Sequence, residues 1–207
     1  MPDTVIRNAT IIDGTGAPRF VGDVSIEDGH IAEIGEISGS VADLEVDATD
    51  LVLAPGFVDV HTHDDGALVQ HPDMTFKVSQ GCTSVVVGNC GFSAIPAVTG
   101  ESTLDLSGVE ARWSDLDGYR DAVEGSNPAV NAMMLVGHNT IRTLEMKGER
   151  GAPNDRQLSR MQEHVELAMQ QGACGFSTGL IYRPGRWADT EEILDLAKAV
   201  APFGGIY

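Results

Sequence analysis

The sequence is poor in lysine, in paired cysteines and in long apolar runs, and each shortage excludes a class of protein. It has 31 acidic residues against 13 basic ones, of which 3 are lysine, and its formal net charge is -18. Such a chain repels phosphate backbones and anionic lipids, so we expect neither a nucleic-acid partner nor a membrane partner. Residues 1–8 lack the regions of a signal peptide, and no run approaches the roughly 18 apolar residues that cross a bilayer. We therefore expect a soluble, cytoplasmic protein.

The three cysteines lack the short paired spacings of a zinc ribbon. Their odd number favours reduced thiols over a disulfide framework. Cys82 and Cys174 each come just after a predicted helix that ends in glycine, and we interpret them as small buried side chains, the commonest role of a free cysteine. Cys90 differs in position, because it ends a predicted strand, and it is a candidate ligand.

The first 53 residues are predicted to form a small β domain. Short apolar runs alternate with tight turns, as in strands joined by hairpins. Asp28-Gly29 is a favourable hairpin turn, because glycine adopts positive φ without a steric cost. The apolar runs are residues 4–6, 10–12, 24–26 and 31–34.

Residues 54–207 change to alternating strands and helices. The candidate strands are near-continuous apolar runs, typical of a parallel sheet that is buried on both faces. Amphipathic helices are predicted for residues 154–171 and from Thr190 to just before Pro202, and residues 100–118 are predicted to be a long loop. The strands are assigned to residues 52–61, 84–87, 132–136 and 174–177, with a fifth beginning at residue 205.

This pattern predicts an α/β fold, an incomplete (β/α)8 TIM barrel preceded by part of a small β domain. Each crossover unit takes about 30 residues or more, whereas a closed barrel takes roughly 250 residues. The chain therefore has room for about the first four to five βα units. Barrel enzymes build their sites at the carboxyl ends of the strands, so residues at those ends are the candidates for function.

A His-x-His pair ends the first of these strands. In residues 55–63 alternate side chains share a face, which places Asp59, His61 and His63 together if the strand continues through them. Neutral imidazole is a good Zn²⁺ ligand, so the two histidines are candidate metal ligands. Asp59 is a candidate to orient one of these ligands through a hydrogen bond without binding the metal itself. The alternative is two solvated histidines without a metal.

Two further candidates follow the next strands. Cys90 lies between two glycines where the second strand ends, so its thiolate is in position to complete or bridge a metal site. His138 follows the third strand, where it would polarise a carbonyl or hold a substrate carboxylate, or else be an ordinary loop histidine. Arg142 is a further candidate for the site at the carboxyl ends of the strands. The remaining histidines are expected to be solvated; they are His30, His71 and His164.

The fourth strand leads into a loop rich in hydroxyl, phenol and guanidinium groups. Residues 175–185 read GFSTGLIYRPG, in which glycine and proline fix the backbone. Such a loop suits an acylated amino acid, with Tyr182 as one contact. Arg183 or Arg186 is a candidate to bind its carboxylate through two parallel hydrogen bonds, although a loop arginine is often only solvated.

Four segments together resemble the D-aminoacylase branch of the metal-dependent amidohydrolase superfamily. They are PGFVDVHTHDD at residues 55–65, GNCGFS at 88–93, the Gly-His pair at 137–138 and FSTGLIYRPG at 176–185. Residues 8–14 also resemble part of the superfamily's N-terminal β-sandwich domain. The resemblance implies that His61 and His63 are metal ligands and that Cys90 replaces the carboxylated lysine or glutamate of other members. It further implies one or two zinc ions as cofactor.

The same resemblance implies hydrolysis of an N-acyl-D-amino acid, with a metal that activates water and polarises the scissile carbonyl. A general-base aspartate and two more histidine ligands would lie in later strands, beyond Tyr207. We therefore expect these 207 residues to be an N-terminal part of such an enzyme, inactive and poorly stable alone.

Two other interpretations stay open at this point. A dihydroorotase-like or hydantoinase-like enzyme shares the segment PGFVDVHTH, but those enzymes normally rely on the carboxylated lysine. Residues 88–91 and the loop around Ser177 favour the D-aminoacylase branch. The other interpretation is a non-catalytic metal-binding fragment whose open sheet edges drive self-association.

Overall fold

The computed structural model describes residues 2–39, 42–97 and 113–207. The chain divides into two compact units, residues 1–56 and residues 57–207. This division lies close to the boundary expected after residue 53. None of the helices in the described ranges is long and apolar enough to cross a bilayer.

The first unit is a five-stranded sheet of short strands. They are β1 (Thr4–Ile11), β2 (Phe20–Glu27), β3 (His30–Gly35), β4 (Leu44–Asp47) and β5 (Val52–Leu53). The sheet runs in the order β3-β2-β1-β4; β2 is antiparallel to β1 and β3, and both β4 and β5 pair with β1 in parallel. Asp28 and Gly29 form the predicted hairpin turn, both at positive φ.

Residues 4–6 and 10–12, predicted as separate strands, are one strand, β1. Asn8 has a φ of 60°, and the register with β2 shifts between Ile6 and Ala9, so a bulge joins two straight segments. The backbone N–H of Asn8 donates to the Asp23 carboxylate at 2.9 Å instead of to the ladder. A polar side chain on the neighbouring strand therefore lets one strand continue where the sequence suggested a break.

The second unit is a parallel sheet with helices between its strands. The strands β6 (Phe57–Asp59), β7 (Cys82–Val87), β8 (Asn131–Gly137) and β9 (Gly175–Ser177) lie side by side in chain order. Ile206 forms an isolated parallel bridge to Gly175, where a fifth strand was predicted. Parallel strands in this order with helical crossovers confirm the predicted α/β half-barrel.

The helices of this unit cover the sheet. They are α1 (Ala67–Gln70), α2 (Thr75–Val78), α3 (Leu116–Ser126), α4 (His138–Met146), α5 (Asp155–Gln170) and α6 (Thr190–Val200). The prediction of α5 and α6 is confirmed: α5 begins at a capping box, and α6 has two glutamates in its first turn. The single-turn helices α1 and α2 were not predicted, because four residues are too few to show a helical period.

The predicted loop at residues 100–118 lies mostly outside the described residues, which resume at Trp113. Its last three residues already belong to α3, because the Asp115 carboxylate accepts the Gly118 N–H at 3.1 Å and caps the helix there. The core of the unit lies between the sheet and its helices; its fully buried members include Val85, Val87, Val136, Met161, Val165, Phe176 and Leu196.

The predicted strand at residues 52–61 is not continuous. β5 ends at Leu53 and pairs with β1, whereas β6 begins at Phe57 and pairs with β7. Pro55 between them has no backbone N–H to donate to a ladder, and Gly56 follows it. β6 ends at Asp59, before His61. The two histidines therefore lie after the strand and not on it.

Candidate metal centre

The carboxyl ends of β6 and β7 bring the three predicted metal ligands together. His61 and His63 follow β6, and Cys90 lies in the short 3₁₀ turn that follows β7. Because Asp59 pairs with Val85 in parallel register, both strands end at the same edge of the sheet. His61 Nε2 lies 3.3 Å from Cys90 Sγ, and ligand atoms of all three side chains lie within 4.8 Å of one another.

This set of donors fits a zinc ion. A nitrogen ligand at about 2.1 Å and a thiolate at about 2.3 Å on one tetrahedral Zn²⁺ are about 3.6 Å apart. The separation of 3.3 Å between His61 Nε2 and Cys90 Sγ is close to that value. Within the described ranges, no other group of three histidine, cysteine or acidic side chains meets in this way.

His61 and His63 lie on a segment that has left the sheet but remains tied to its neighbours. The Asp59 carboxylate accepts the backbone N–H of His61 at 3.2 Å, which removes that donor from the ladder and ends β6 earlier than predicted. The Asn89 side-chain amide donates to the Thr62 carbonyl at 3.3 Å. Both imidazoles are exposed. The histidines are therefore held through their backbone, and Asp59 contacts the backbone of His61 instead of its ring.

One lysine contacts this segment. Lys77 Nζ lies 2.6 Å from Asp59 Oδ2, 3.0 Å from Asp64 Oδ2 and 3.2 Å from Thr62 Oγ1. We call these four residues the Lys77 cluster. The hydrogen bonds from Lys77 and from the His61 N–H hold the pKa of Asp59 below its usual value. Burial lowers the pKa of Lys77, but its bonds to the two carboxylates outweigh burial and raise that pKa overall.

The turn that carries Cys90 is held by neutral hydrogen bonds and by close contacts of glycine. Cys90 has a φ of 55°, and Gly88 and Gly91 on either side have a φ of 80°. The Gly91 N–H donates to Ser177 Oγ at 2.9 Å, and Asn139 Nδ2 donates to the Cys90 carbonyl at 3.1 Å. A side chain at Gly88 would place its Cβ 1.9 Å from a carbonyl oxygen of β8. The backbone of this turn is thus set by its fit against β8 and β9.

Asp65 ties the histidine segment to the Cys90 turn from inside the unit. It is fully buried, and its carboxylate accepts the N–H groups of Gly88 at 3.3 Å and Ala94 at 3.1 Å. Burial raises the pKa of Asp65 to about 6, against the lowering effect of these hydrogen bonds. Tyr119 Oη donates to the Asp65 carbonyl at 2.7 Å, and burial raises the pKa of that phenol as well.

His138, predicted as a substrate contact, is fully buried. Its Nε2 lies 2.7 Å from Glu192 Oε1, and its ring meets Phe176 edge to face. Arg142, predicted for the site at the carboxyl ends of the strands, donates to the other carboxylate oxygen of Glu192. Burial raises the pKa of Glu192, but the bonds from His138 and Arg142 outweigh burial and hold that pKa below its usual value. We call His138, Arg142 and Glu192 the Glu192 cluster; its burial favours a structural role, and the substrate role of His138 stays a prediction.

Tyr182 lies in the loop that follows β9, and this loop passes directly against the Cys90 turn. A Cβ added to Gly179 would lie 2.0 Å from the Cys90 carbonyl oxygen. Tyr182 itself is 48% exposed, and its ring lies 5.7 Å from that of Phe92. The phenol is therefore accessible on a loop that borders the candidate metal centre.

Arg183 is the other predicted substrate contact of this loop. Its guanidinium lies over the Trp187 ring at 5.8 Å, and that of Arg150 lies over the same ring at 5.1 Å. Two cations therefore share one aromatic ring beside the loop. The predicted pairing of Arg183 with a substrate carboxylate stays a prediction.

Lys77, Asn139 and Ser177 are among the residues that support the site but were not predicted from the sequence. Each supports the ligand segments through contacts that only folding creates. The signals for them were weak: Lys77 is one of 3 lysines in the chain, Asn139 follows a candidate residue, and Ser177 belongs to the hydroxyl-rich loop.

Comparison with known proteins agrees with this site. The Amidohydrolase family pattern matches residues 44–201. The chain is 41% identical over 209 aligned residues to a D-aminoacylase of Alcaligenes xylosoxydans xylosoxydans. The alignment covers 99% of this chain and 43% of that protein. A D-aminoacylase crystal structure described as defining a novel subset of amidohydrolases aligns with a TM-score of 0.93 and 38% identity, over 100% of this chain and 44% of that one.

A third relative contains a metal. The N-acyl-D-glutamate deacylase of Bordetella bronchiseptica, solved with zinc and a phosphonate mimic of the tetrahedral intermediate, aligns with a TM-score of 0.91 and 42% identity. The alignment covers 97% of this chain and 43% of that one. The chain thus spans less than half the length of the relatives that it matches, and its fold matches their N-terminal part. It belongs to the amidohydrolase family, and the relatives that it resembles are those of the D-aminoacylase branch.

Proposed function

We propose that this chain supplies metal ligands to an enzyme that hydrolyses the amide bond of N-acyl-D-amino acids. The observation that carries the proposal is the meeting of His61, His63 and Cys90 at the carboxyl edge of a parallel sheet. Relatives named D-aminoacylase and N-acyl-D-glutamate deacylase, each about 40% identical, support the substrate class.

Zinc is the proposed metal because the site combines two imidazoles with one thiolate. When bound, the ion supplies a Lewis acid that polarises the scissile carbonyl and lowers the pKa of water. His61, His63 and Cys90 would hold it, and Asp59 keeps the His61 backbone in place. A thiolate is able to bridge two ions, so this site is compatible with one ion or two.

The loop after β9 is the proposed binding site for the acylated amino acid. Tyr182 offers an accessible phenol next to the Cys90 turn. Arg183 is proposed to bind the substrate carboxylate, because it lies on this loop, 5.8 Å from the centre of the Trp187 ring, and a planar guanidinium pairs with a carboxylate through two parallel hydrogen bonds.

The contacts of the lysines favour linear amides over cyclic amides as substrates. Enzymes of the hydantoinase kind normally rely on a carboxylated lysine as a metal ligand. Here the ammonium of Lys77 is engaged by two carboxylates and that of Lys198 by Asp195, while Lys147 lies at the C-terminal end of α4. The candidate metal ligand beside His61 and His63 is Cys90 and not a lysine, which supports the D-aminoacylase type of centre.

We also propose that residues 1–207 alone do not complete the reaction. The relatives are more than twice as long, since the chain covers 43% of each. The general-base aspartate and two further histidine ligands that the resemblance implies are expected in that additional length. Three ligands from one edge of a half-barrel would bind metal without completing the catalytic site.

Zinc content tests the metal centre. After removal of metal and reloading with Zn²⁺, we expect His61→Asn, His63→Asn and Cys90→Ser each to weaken zinc binding by at least about tenfold, measured by calorimetry and elemental analysis. His30→Asn and Cys82→Ser remove the same types of donor elsewhere and are the matched controls. Equal zinc affinity in Cys90→Ser and Cys82→Ser would rule out this centre.

Substrate assays test the reaction. N-acetyl-D-amino acids, their L-isomers and a hydantoin are offered to the protein at its natural full length and to residues 1–207. We expect zinc-dependent release of the D-amino acid by the natural protein and none by residues 1–207. Cleavage of the hydantoin alone would replace the proposed substrate class, and turnover by residues 1–207 would overturn the proposal that they are inactive alone.

A further inference from the structure

The segment of residues 59–64, which carries the two histidines, makes contacts on two sides. On one side His61 lies against Cys90. On the other side, two carboxylates and one hydroxyl of the same segment contact a single ammonium. We propose that Lys77 is a positioning residue that sets His61 and His63 for the metal by holding the residues beside and between them. This inference rests on the metal centre proposed above.

The contacts of the ammonium match its donors. A lysine has three N–H groups, and here three acceptors lie within hydrogen-bond distance, on Asp59, Asp64 and Thr62. The acceptors are linked further, because Asp59 also accepts the His61 N–H and the Thr62 hydroxyl donates to Asp64. One cation therefore joins the beginning, the middle and the end of the segment.

The lysine reaches the segment from an anchored helix. α2 follows Met74, which is fully buried and has a φ of 41°. The N–H groups of Lys77 and Val78 donate to the Met74 carbonyl at 2.8 and 3.0 Å. The Lys77 side chain is only 15% exposed. The ammonium thus starts from a fixed backbone, unlike that of a solvated lysine.

Loss of this cation would change the metal centre in two ways. Asp59 and Asp64 would repel each other, which displaces the backbone between them. Their carboxylate oxygens would also become available as hard ligands beside two histidines. The first effect predicts weaker metal binding and the second predicts a different coordination sphere, and a lysine that only stabilises the fold would produce neither.

Titration with Co²⁺ tests this role in the protein at its natural full length. Bound cobalt shows a thiolate charge-transfer band and d–d bands whose intensity reports coordination number. For Lys77→Met, shown to be folded by circular dichroism, we expect at least about tenfold weaker Co²⁺ binding and weaker d–d bands. Lys198→Met removes a lysine–aspartate pair with the same 2.6 Å separation and should titrate like the wild type.

Wild-type affinity and bands in Lys77→Met would overturn the proposal, as would an equal loss in Lys198→Met. If Lys77→Met does not fold, Lys77→Arg decides, because its planar fork keeps the charge but cannot reproduce the contacts of a compact ammonium. We expect it to bind Co²⁺ about threefold or more weakly; wild-type titration by this variant overturns the proposal. If wild type and Cys90→Ser give the same cobalt spectrum, the metal centre itself is wrong, and both proposals fall.

Discussion

The Lys77 cluster and the Glu192 cluster use the same kind of interaction at different depths. The lysine and the two carboxylates of the Lys77 cluster are 15–31% exposed. The three side chains of the Glu192 cluster are 0–1% exposed. One cluster joins α2 to the end of β6 and the residues that follow it, and the other joins α4 to the first turn of α6. The first borders the proposed metal centre, whereas the second lies inside the fold.

Depth determines how much each cluster contributes to stability. An ion pair near the surface contributes about 0–1 kcal/mol, because water solvates its charges well when they separate. Removing one partner of a buried pair costs about 3–5 kcal/mol, because the remaining charge has neither water nor a partner. We therefore expect the Glu192 cluster to govern folding and the Lys77 cluster to govern metal binding.

Loss of the Glu192 carboxylate is the largest expected effect. In Glu192→Ala, Arg142 and His138 lose their shared acceptor inside the fold, and we expect the free energy of unfolding to fall by about 3–5 kcal/mol at neutral pH. Urea denaturation measures this change. Glu191→Ala removes an exposed glutamate from the same helical turn and is the control. A loss below about 1 kcal/mol would show that depth is not the deciding factor.

The pH dependence of stability sharpens the same comparison. The pKa of Glu192 is held below its usual value of 4.5. Its contribution is therefore fully present above that pH and is lost as the pH falls through the lowered pKa of the folded state. Compared with Glu192→Gln, the wild type should be more stable at neutral pH, and the difference should shrink below about pH 4.5. A constant difference in urea denaturation from about pH 7 to about pH 3 would contradict this assignment.

Loss of the Lys77 ammonium should affect folding less than loss of Glu192. We expect Lys77→Met to lower the free energy of unfolding of the metal-free protein by about 1 kcal/mol, since its partners are partly solvated. Added salt should reduce this loss through screening, but should leave that of Glu192→Ala nearly unchanged. If Lys77→Met is as costly as Glu192→Ala in a chelating buffer, the two clusters do not have separate roles.

Lys198 provides the smallest expected effect. It is 73% exposed and pairs with Asp195 on the same helix. We expect Lys198→Met to change the free energy of unfolding by no more than about 0.5 kcal/mol in thermal or urea denaturation. A larger change would mean that a short separation between charges, rather than depth, determines the contribution of these pairs.

The convergence of the three candidate ligands was predictable because it follows from a local rule. Adjacent parallel strands end at one edge of a sheet, so residues that follow β6 and β7 meet there. The main helices α5 and α6 were equally predictable, because their apolar period and their first-turn residues are local features. The break around Pro55 had a visible signal, because a proline inside a run of apolar residues argues against a continuous strand. The prediction followed the apolar residues on both sides of it instead.

The contacts that support the ligands were not predictable. Lys77 and Asp59 are 18 residues apart, Asn139 and Cys90 are 49 apart, and Gly91 and Ser177 are 86 apart. No motif or period joins positions at such separations. Their meeting depends on the register of the sheet and on the paths of the loops.

The sequence by itself determined the parallel strands of residues 57–207 and the helices α5 and α6, the edge at which His61, His63 and Cys90 meet, and the resemblance to amidohydrolases. These features depend on local patterns of apolar residues, turns and short motifs. Only the tertiary structure decided that His138 turns inward to Glu192 and that Lys77 lies against the histidine segment. The reason is that a polar side chain is stable where it finds a partner, and packing between distant parts of the chain determines where that partner lies.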